Sequence, residues 1–185
     1  NKEIHSVNLS RFWYNQAMSK LENIHIKDIT PIITPENLKS SINISNETSN
    51  FVIKSRENIS NIINGTDKRL LVIVGPCSIH DTTAAIEYAE KLAPLVKKYN
   101  EKMEIVMRVY FEKPRTNVGW KGLISDPDLN GTNNIEKGLT NARDLLLRIL
   151  NLGIPTGSEL LDPILPQHYA DLICWASIGP RTSES

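Results

Sequence analysis

Cysteine is scarce: two residues, Cys77 and Cys174, in a chain of 185. Two thiols so far apart in sequence make no disulfide framework, and the expectation is that both stay reduced in an intracellular chain. An excess of one charge is also missing. Lys and Arg number 21, Asp and Glu 21, for a net charge of zero. That balance offers no electrostatic footprint for nucleic acid or an anionic membrane surface. No apolar run approaches the roughly 20 residues that span a bilayer. Asn1-Lys2-Glu3-Ile4-His5 contains no apolar signal core. The expectation is a cytoplasmic protein with neither a nucleic-acid nor a membrane partner. Hydrophobic residues make up 40% of the chain, enough for the core of one ordinary soluble domain.

Periodicity organises what is present. Phe12, Trp13, Tyr14, Met18 and Leu21 suit one face of a short helix. Ile24, Ile26 and Ile29 alternate with polar residues as in a half-exposed strand, which Pro31 and Pro35 interrupt. A helix is predicted over 47–64, with Val52, Ile59, Ile62 and Ile63 on one side and Asn64-Gly65 closing it. Leu70 to Val74 is a continuous apolar run, as in a strand buried on both faces. Asp81 caps a predicted helix over 82–99 that buries Ala85, Ile86, Ala89, Leu92, Ala93 and Val96, with Pro94 expected to kink it. A second strand is predicted over 103–109, then a long loop from Tyr110 to about Asn133. A helix over 134–152 follows, with Leu139, Ala142, Leu145, Leu146 and Ile149 inward and Gly153 as its stop. Ile154 to Leu160 reads as a third strand, Ile164 to Cys174 as a short helix, and Trp175 to Gly179 as a fourth strand.

Strands alternating with helices argue for parallel β structure, and both an open doubly wound sheet and a (β/α)8 barrel fit. The candidate reactive residues sit just after strands or late in them. Cys77 follows the first, Lys113 the second and Arg181 the fourth, while Glu159 lies late in the third. Barrel active sites are built on that face. The run from Met107 to Gly122 sets Arg108, Lys113, Arg115 and Lys121 at one strand end. Four cations there suit a ligand with several negative charges, phosphate first. The plainer alternative is a solvated basic loop.

Three segments then coincide in order: GPCSIHD from Gly75, MRVYFEKPRT with GWKG from Met107, and GPRTSES from Gly179 to the last residue. Together they resemble the class I 3-deoxy-D-arabino-heptulosonate 7-phosphate (DAHP) synthases, from about Lys27 onward. The resemblance implies a (β/α)8 TIM barrel, of which this chain holds an N-terminal extension (1–69) and about four strands (70–185). It implies condensation of phosphoenolpyruvate with erythrose 4-phosphate, the opening step of the shikimate pathway. It also implies a divalent metal (Mn, Fe, Zn or Co) with Cys77 as one ligand and the remaining ligands outside this sequence. Residue type alone would make Cys77 a small buried hydrophobe.

Carried over position by position, Arg108 and Lys113 are expected to contact phosphoenolpyruvate and to act in catalysis. Lys113, Pro114, Arg115 and Thr116 are expected to hold erythrose 4-phosphate as well. Glu159 belongs to the phosphoenolpyruvate pocket, with Arg181 or Lys113 as its cationic partner. Arg181 is expected to hold the phosphoenolpyruvate phosphate, next to Pro180, where the family usually has Ala. Pro180 has no backbone N–H to offer that phosphate. The alternative for Arg115 is a surface salt bridge to Asp126 or Asp128, and for Arg181 an exposed tail. His80 reads as structural and Cys174 as core. Class I relatives use an N-terminal extension to oligomerise and to form part of a feedback site for an aromatic amino acid. A homo-oligomer is therefore expected of the full-length protein. A related synthase making 3-deoxy-octulosonate 8-phosphate carries Lys-Ala-Asn-Arg where this chain has Lys-Pro-Arg-Thr. A reading of another class is a catalytically inactive relic or regulatory half-protein.

Overall fold

The computed structural model describes residue 26, residues 29–114 and residues 119–179. The aromatic helix expected within residues 12–21 lies outside them, as does most of the strand expected around Ile24. Ile26 and Ile29 are described and are exposed, without strand structure.

Helix α1 spans Pro35–Ser41 and was not expected from the sequence. Pro35 does not interrupt a strand but opens this helix. The Thr34 side chain accepts the Asn37 N–H at 3.2 Å, and Pro35 sits where a helix has no use for an N–H. Helix α2 spans Asn46–Ile63 and is capped by Ser45, which accepts the Thr48 N–H. Val52 and Ile59 are buried as expected. Ile63 is not: it lies in the last turn and is 65% exposed.

Strands β1 (Leu70–Val74), β2 (Met103–Arg108), β3 (Thr156–Leu160) and β4 (Trp175–Ile178) form one parallel sheet in the order β1-β2-β3-β4. A doubly wound sheet reverses its strand order at a switch point. This one advances without reversal, as an arc of a barrel does, and the fold is half of a (β/α)8 barrel. Helix α3 (Thr82–Tyr99) connects β1 to β2, and helix α4 (Ile135–Asn151) stands between β2 and β3. Asp81 caps α3 through the N–H groups of Thr83 and Ala84, and α3 runs through Pro94 as one element. Leu139, Ala142, Leu145, Leu146 and Ile149 of α4 are all fully buried, and Gly153 ends that segment with φ +75°.

Two expectations are corrected. β1 is not buried on both faces, since Leu70 is 60% exposed and the middle residues are only half-buried. Among the described residues β1 pairs with β2 alone, so it is an edge. The segment between β3 and β4 is not an α-helix but two short 3-10 turns, Leu165–His168 and Ala170–Leu172. Asp162 Oδ1 accepts the N–H groups of both Ile164 and Leu165 at 2.7 Å, and Tyr169 at φ −142° breaks helical continuity. Helical spacing of apolar residues does not reveal that break.

Arg143 on α4 holds these pieces together. It is 1% exposed and pairs with Asp171 through both guanidinium ends, at 2.8 and 2.9 Å. It also donates to the carbonyls of Ile42 and His168. One guanidinium thus joins α4, the α1–α2 link and both 3-10 turns. Removing a buried ionic partner leaves its counter-charge and carbonyls unmet. Arg143→Ala is expected to cost roughly 3 kcal/mol or more in urea denaturation.

Candidate active site at the strand ends

In a parallel sheet, residues paired across strands point to the same face, and the face alternates along each strand. The register pairs Arg108 with Gly157, Gly157 with Trp175, and Glu159 with Ser177. These five residues therefore share one face, opposite the one bearing Met107 and Thr156. Tyr110, two residues beyond Arg108, continues their row.

Gly75 explains the start of the GPC motif. Its φ is +154°, and a Cβ there would lie 2.8 Å from the Arg108 carbonyl oxygen. Only glycine lets the end of β1 approach Arg108 so closely. The approach carries Cys77 over the same strand end. An Arg108 guanidinium N–H donates to the Cys77 carbonyl at 3.3 Å, and Lys113 Nζ donates to Cys77 Sγ at 3.0 Å. Cys77 is exposed, unlike the buried hydrophobe its residue type suggests, whereas Cys174 is core as expected.

The basic loop is not simply solvated. Phe111 is 1% exposed, and Leu123 and Ile124 are also buried. Glu112 and Gly122 bridge antiparallel, and the Lys113 N–H donates to the Lys121 carbonyl at 2.9 Å. A Cβ on Gly122 would fall 2.1 Å from the Phe111 oxygen, so this hairpin base also needs glycine. Trp120 Nε1 donates to the Asp126 carbonyl. Lys113 is thus held at the strand end by the backbone, while Pro114 and Lys121 are exposed. Arg115, Thr116, Pro180 and Arg181 lie outside the described residues. Asp128, considered above as a partner for Arg115, pairs with Lys137 at 2.5 Å.

Of the two cations expected beside Glu159, Arg181 lies outside the described residues and only Lys113 can be compared. Glu159 lies on the Arg108 face and is half-buried, yet no ion pair joins it to Lys113, whose ammonium is on Cys77. Its charge acts instead on Glu112, which the sequence reading did not single out. Burial first, then the charges of Asp162 and Glu159, push the Glu112 carboxyl up to about 7. Glu112 Oε2 is buried and meets no hydrogen-bond partner among the described residues. Tyr110 was likewise missed. Its ring lies under the Arg108 guanidinium, with Cζ 4.0 Å from the ring centroid. The period-two pattern continued past Arg108 would have placed Tyr110 on that face. Nothing in the sequence marks the burial of Glu112.

Among the described residues no three His, Cys, Asp or Glu gather to hold a metal. Cys77 offers one exposed sulfur, a single donor rather than a coordination sphere. The described residues therefore do not form a metal site by themselves. No helix among them is long and apolar enough to cross a membrane.

The raised Glu112 carboxyl has a definite consequence for stability. Below pH 4.5 the group is protonated in both folded and unfolded chains. Between about 4.5 and 7 the unfolded chain loses that proton first, so this group's effect on stability worsens as pH rises and levels off above 7. Glu112→Gln is therefore expected to stabilise the fold at pH 8 and to change little at pH 4. Urea titrations of both proteins at the two pH values check this.

The DAHP synthetase I family profile matches residues 41–185. Over 168 residues the chain is 53% identical to the Trp-sensitive phospho-2-dehydro-3-deoxyheptonate aldolase of Buchnera aphidicola subsp. Schizaphis graminum, covering 91% of this chain and 48% of the relative. It is 50% identical over 165 residues to the Tyr-sensitive enzyme of that name from Escherichia coli K12, covering 89% of this chain and 46% of the relative. The solved phospho-2-dehydro-3-deoxyheptonate aldolase of Francisella tularensis SCHU S4 superposes with a TM-score of 0.83 at 53% identity, covering 86% of this chain and 47% of that one. The chain thus spans about half the length of the relatives it matches. With a family match over most of its length and this half-barrel geometry, the chain belongs to the DAHP synthetase I family.

Proposed function

We propose that this chain forms the first half of a DAHP synthase barrel and carries its phosphoenolpyruvate and erythrose 4-phosphate loop. The observation that supports this most is the gathering of Arg108, Lys113 and Cys77 at one strand end, enforced by the close approach at Gly75. The reaction joins phosphoenolpyruvate, erythrose 4-phosphate and water into DAHP and releases inorganic phosphate. It is the first step toward chorismate and the aromatic amino acids.

In this reading the chain's residues mainly bind and orient. Arg108 offers a planar donor fork to a carboxylate or phosphate, while Lys113 is a compact charge that also suits proton transfer. Pro114 fixes the backbone after Lys113. Arg115 and Thr116 take the phosphate and hydroxyls of the sugar, and Arg181, beside Pro180, takes the phosphate of phosphoenolpyruvate. Together they offset the repulsion between two multiply charged substrates and hold them in reacting order. Glu159 borders the phosphoenolpyruvate pocket. Cys77 is one donor to a divalent metal, Mn, Fe, Zn or Co, whose other donors lie beyond this chain. When bound, such an ion polarises a carbonyl.

Residues 1–69 are assigned to oligomerisation and regulation and 70–185 to the half-barrel. Relatives named Trp-sensitive and Tyr-sensitive support feedback by an aromatic amino acid. The full-length protein is a cytoplasmic homo-oligomer in this reading, with no nucleic-acid or membrane partner.

A second reading, that the 185 residues alone are inactive, is favoured by the half-length match and by β1 pairing with β2 alone among the described residues. Incubating the purified chain with both substrates and Mn²⁺ is expected to give no DAHP. In the intact protein, Lys113→Ala and Arg115→Ala should each cost roughly 1.5–3 kcal/mol in kcat/KM, as lost charge-assisted hydrogen bonds. Lys121→Ala should cost less. Were Lys121→Ala the most damaging of the three, the substrate site would lie elsewhere.

A further inference from the structure

Arg108 has an unusual set of neighbours. Its Nε is buried without a partner among the described residues, and its one side-chain hydrogen bond among them, to the Cys77 carbonyl, is long at 3.3 Å. A flexible side chain so weakly tied by its edges would not hold one orientation by hydrogen bonding. The firm contact is on its flat face, where the Tyr110 ring lies 4.0 Å from Cζ. Stacking on an aromatic face uses none of the five guanidinium donors, so the edges stay available to a ligand. The ring is itself secured. Tyr110 Oη lies 3.3 Å from Ser177 Oγ on β4, so this side chain reaches from the end of β2 past β3. Gly157, paired with Arg108 on the intervening strand, places no side chain on that face. A Cβ there would meet Val106 Cγ1 at 3.0 Å and Trp175 Cε3 at 3.3 Å.

We propose that Tyr110 is a positioning residue that holds the Arg108 guanidinium flat for an anionic substrate group and, through Ser177, ties it to the end of β4. The inference rests on the reading of Arg108 as a phosphoenolpyruvate contact. A buried donor with no partner among the described residues is costly until another group fills it, which fits an arginine kept poised rather than satisfied. β4 leads in sequence into the terminal motif that carries Arg181.

The test uses the intact enzyme and steady-state kinetics. Tyr110→Leu keeps an apolar side chain but removes the π face. It is expected to raise KM for phosphoenolpyruvate about 3- to 30-fold, with kcat and KM for erythrose 4-phosphate much less affected. Tyr110→Phe keeps the face and should recover most of that loss, leaving a small rise that Ser177→Ala reproduces. The double variant Arg108→Ala/Tyr110→Leu should be no worse than Arg108→Ala alone, because the ring acts through the arginine. Additive losses, or Phe as harmful as Leu, would mean that Tyr110 only fills space and would overturn the proposal. Should Tyr110→Leu fail to fold, Ser177→Ala decides: an unchanged KM for phosphoenolpyruvate overturns the tie. Arg108→Ala with an unchanged KM for phosphoenolpyruvate would sink the reading of Arg108 itself, and this inference with it.

Discussion

Two parallel strands cannot be joined by a hairpin, because the chain must return to the same end before it pairs again. Every other property of this half-barrel follows from that constraint. Each return takes an outer helix or a pair of turns, so α3, α4 and the 3-10 turns all pack on one side of the sheet. Each strand then releases its chain at the same mouth. That is why Cys77, Arg108, Lys113 and Glu159, scattered over nearly half the sequence, arrive at one end of one sheet. The in-register pairing then decides which of them face one another. Arg108 looks across Gly157, and Glu159 lies beside Ser177.

The mouth is kept tight by backbone contacts rather than by large side chains. Gly75 lets β1 close on Arg108, and Gly122 lets the hairpin base close on Phe111. Buried Phe111, Leu123 and Ile124 anchor the long loop to the core, so its cations project from a fixed base. Loops that carry chemistry commonly gain precision in this way from the scaffold beneath them. On the outer side, Phe111 meets Tyr169 edge-on, with ring centroids 5.9 Å apart. Burial and the nearby carboxylates raise the Tyr169 phenol too. The loop after β2 and the β3–β4 connection are therefore one packed unit, with the Glu112 carboxyl at their junction.

Local pattern made much of this legible. The four strands, α2, α3 and α4 stand within a residue or two of the sequence reading, because apolar periodicity, Asp81 as a cap and Gly153 as a stop are all local signals. Local signals also misled. Pro35 read as a break when Thr34 before it makes it a helix start. The apolar spacing over 164–174 read as a helix, where Asp162 captures two backbone N–H groups and Tyr169 turns the chain. β1 read as fully buried because its composition is that of an inner strand, and composition does not say whether a neighbour is paired on each side.

The motif residues set the chemistry that this chain can offer: a thiol, a planar cation, a point charge and a carboxylate, each at a strand end. That much was determined by the sequence, since strand periodicity and residue type are properties of neighbouring positions. Which groups touch was decided only by the tertiary structure. Lys113 rests on Cys77 rather than on Glu159, Glu159 acts on Glu112, and Tyr110 carries the Arg108 guanidinium on its ring. Contacts of this kind depend on strand register and on burial in three dimensions. Both arise from pairing between segments far apart in the chain, and no local window of sequence contains them.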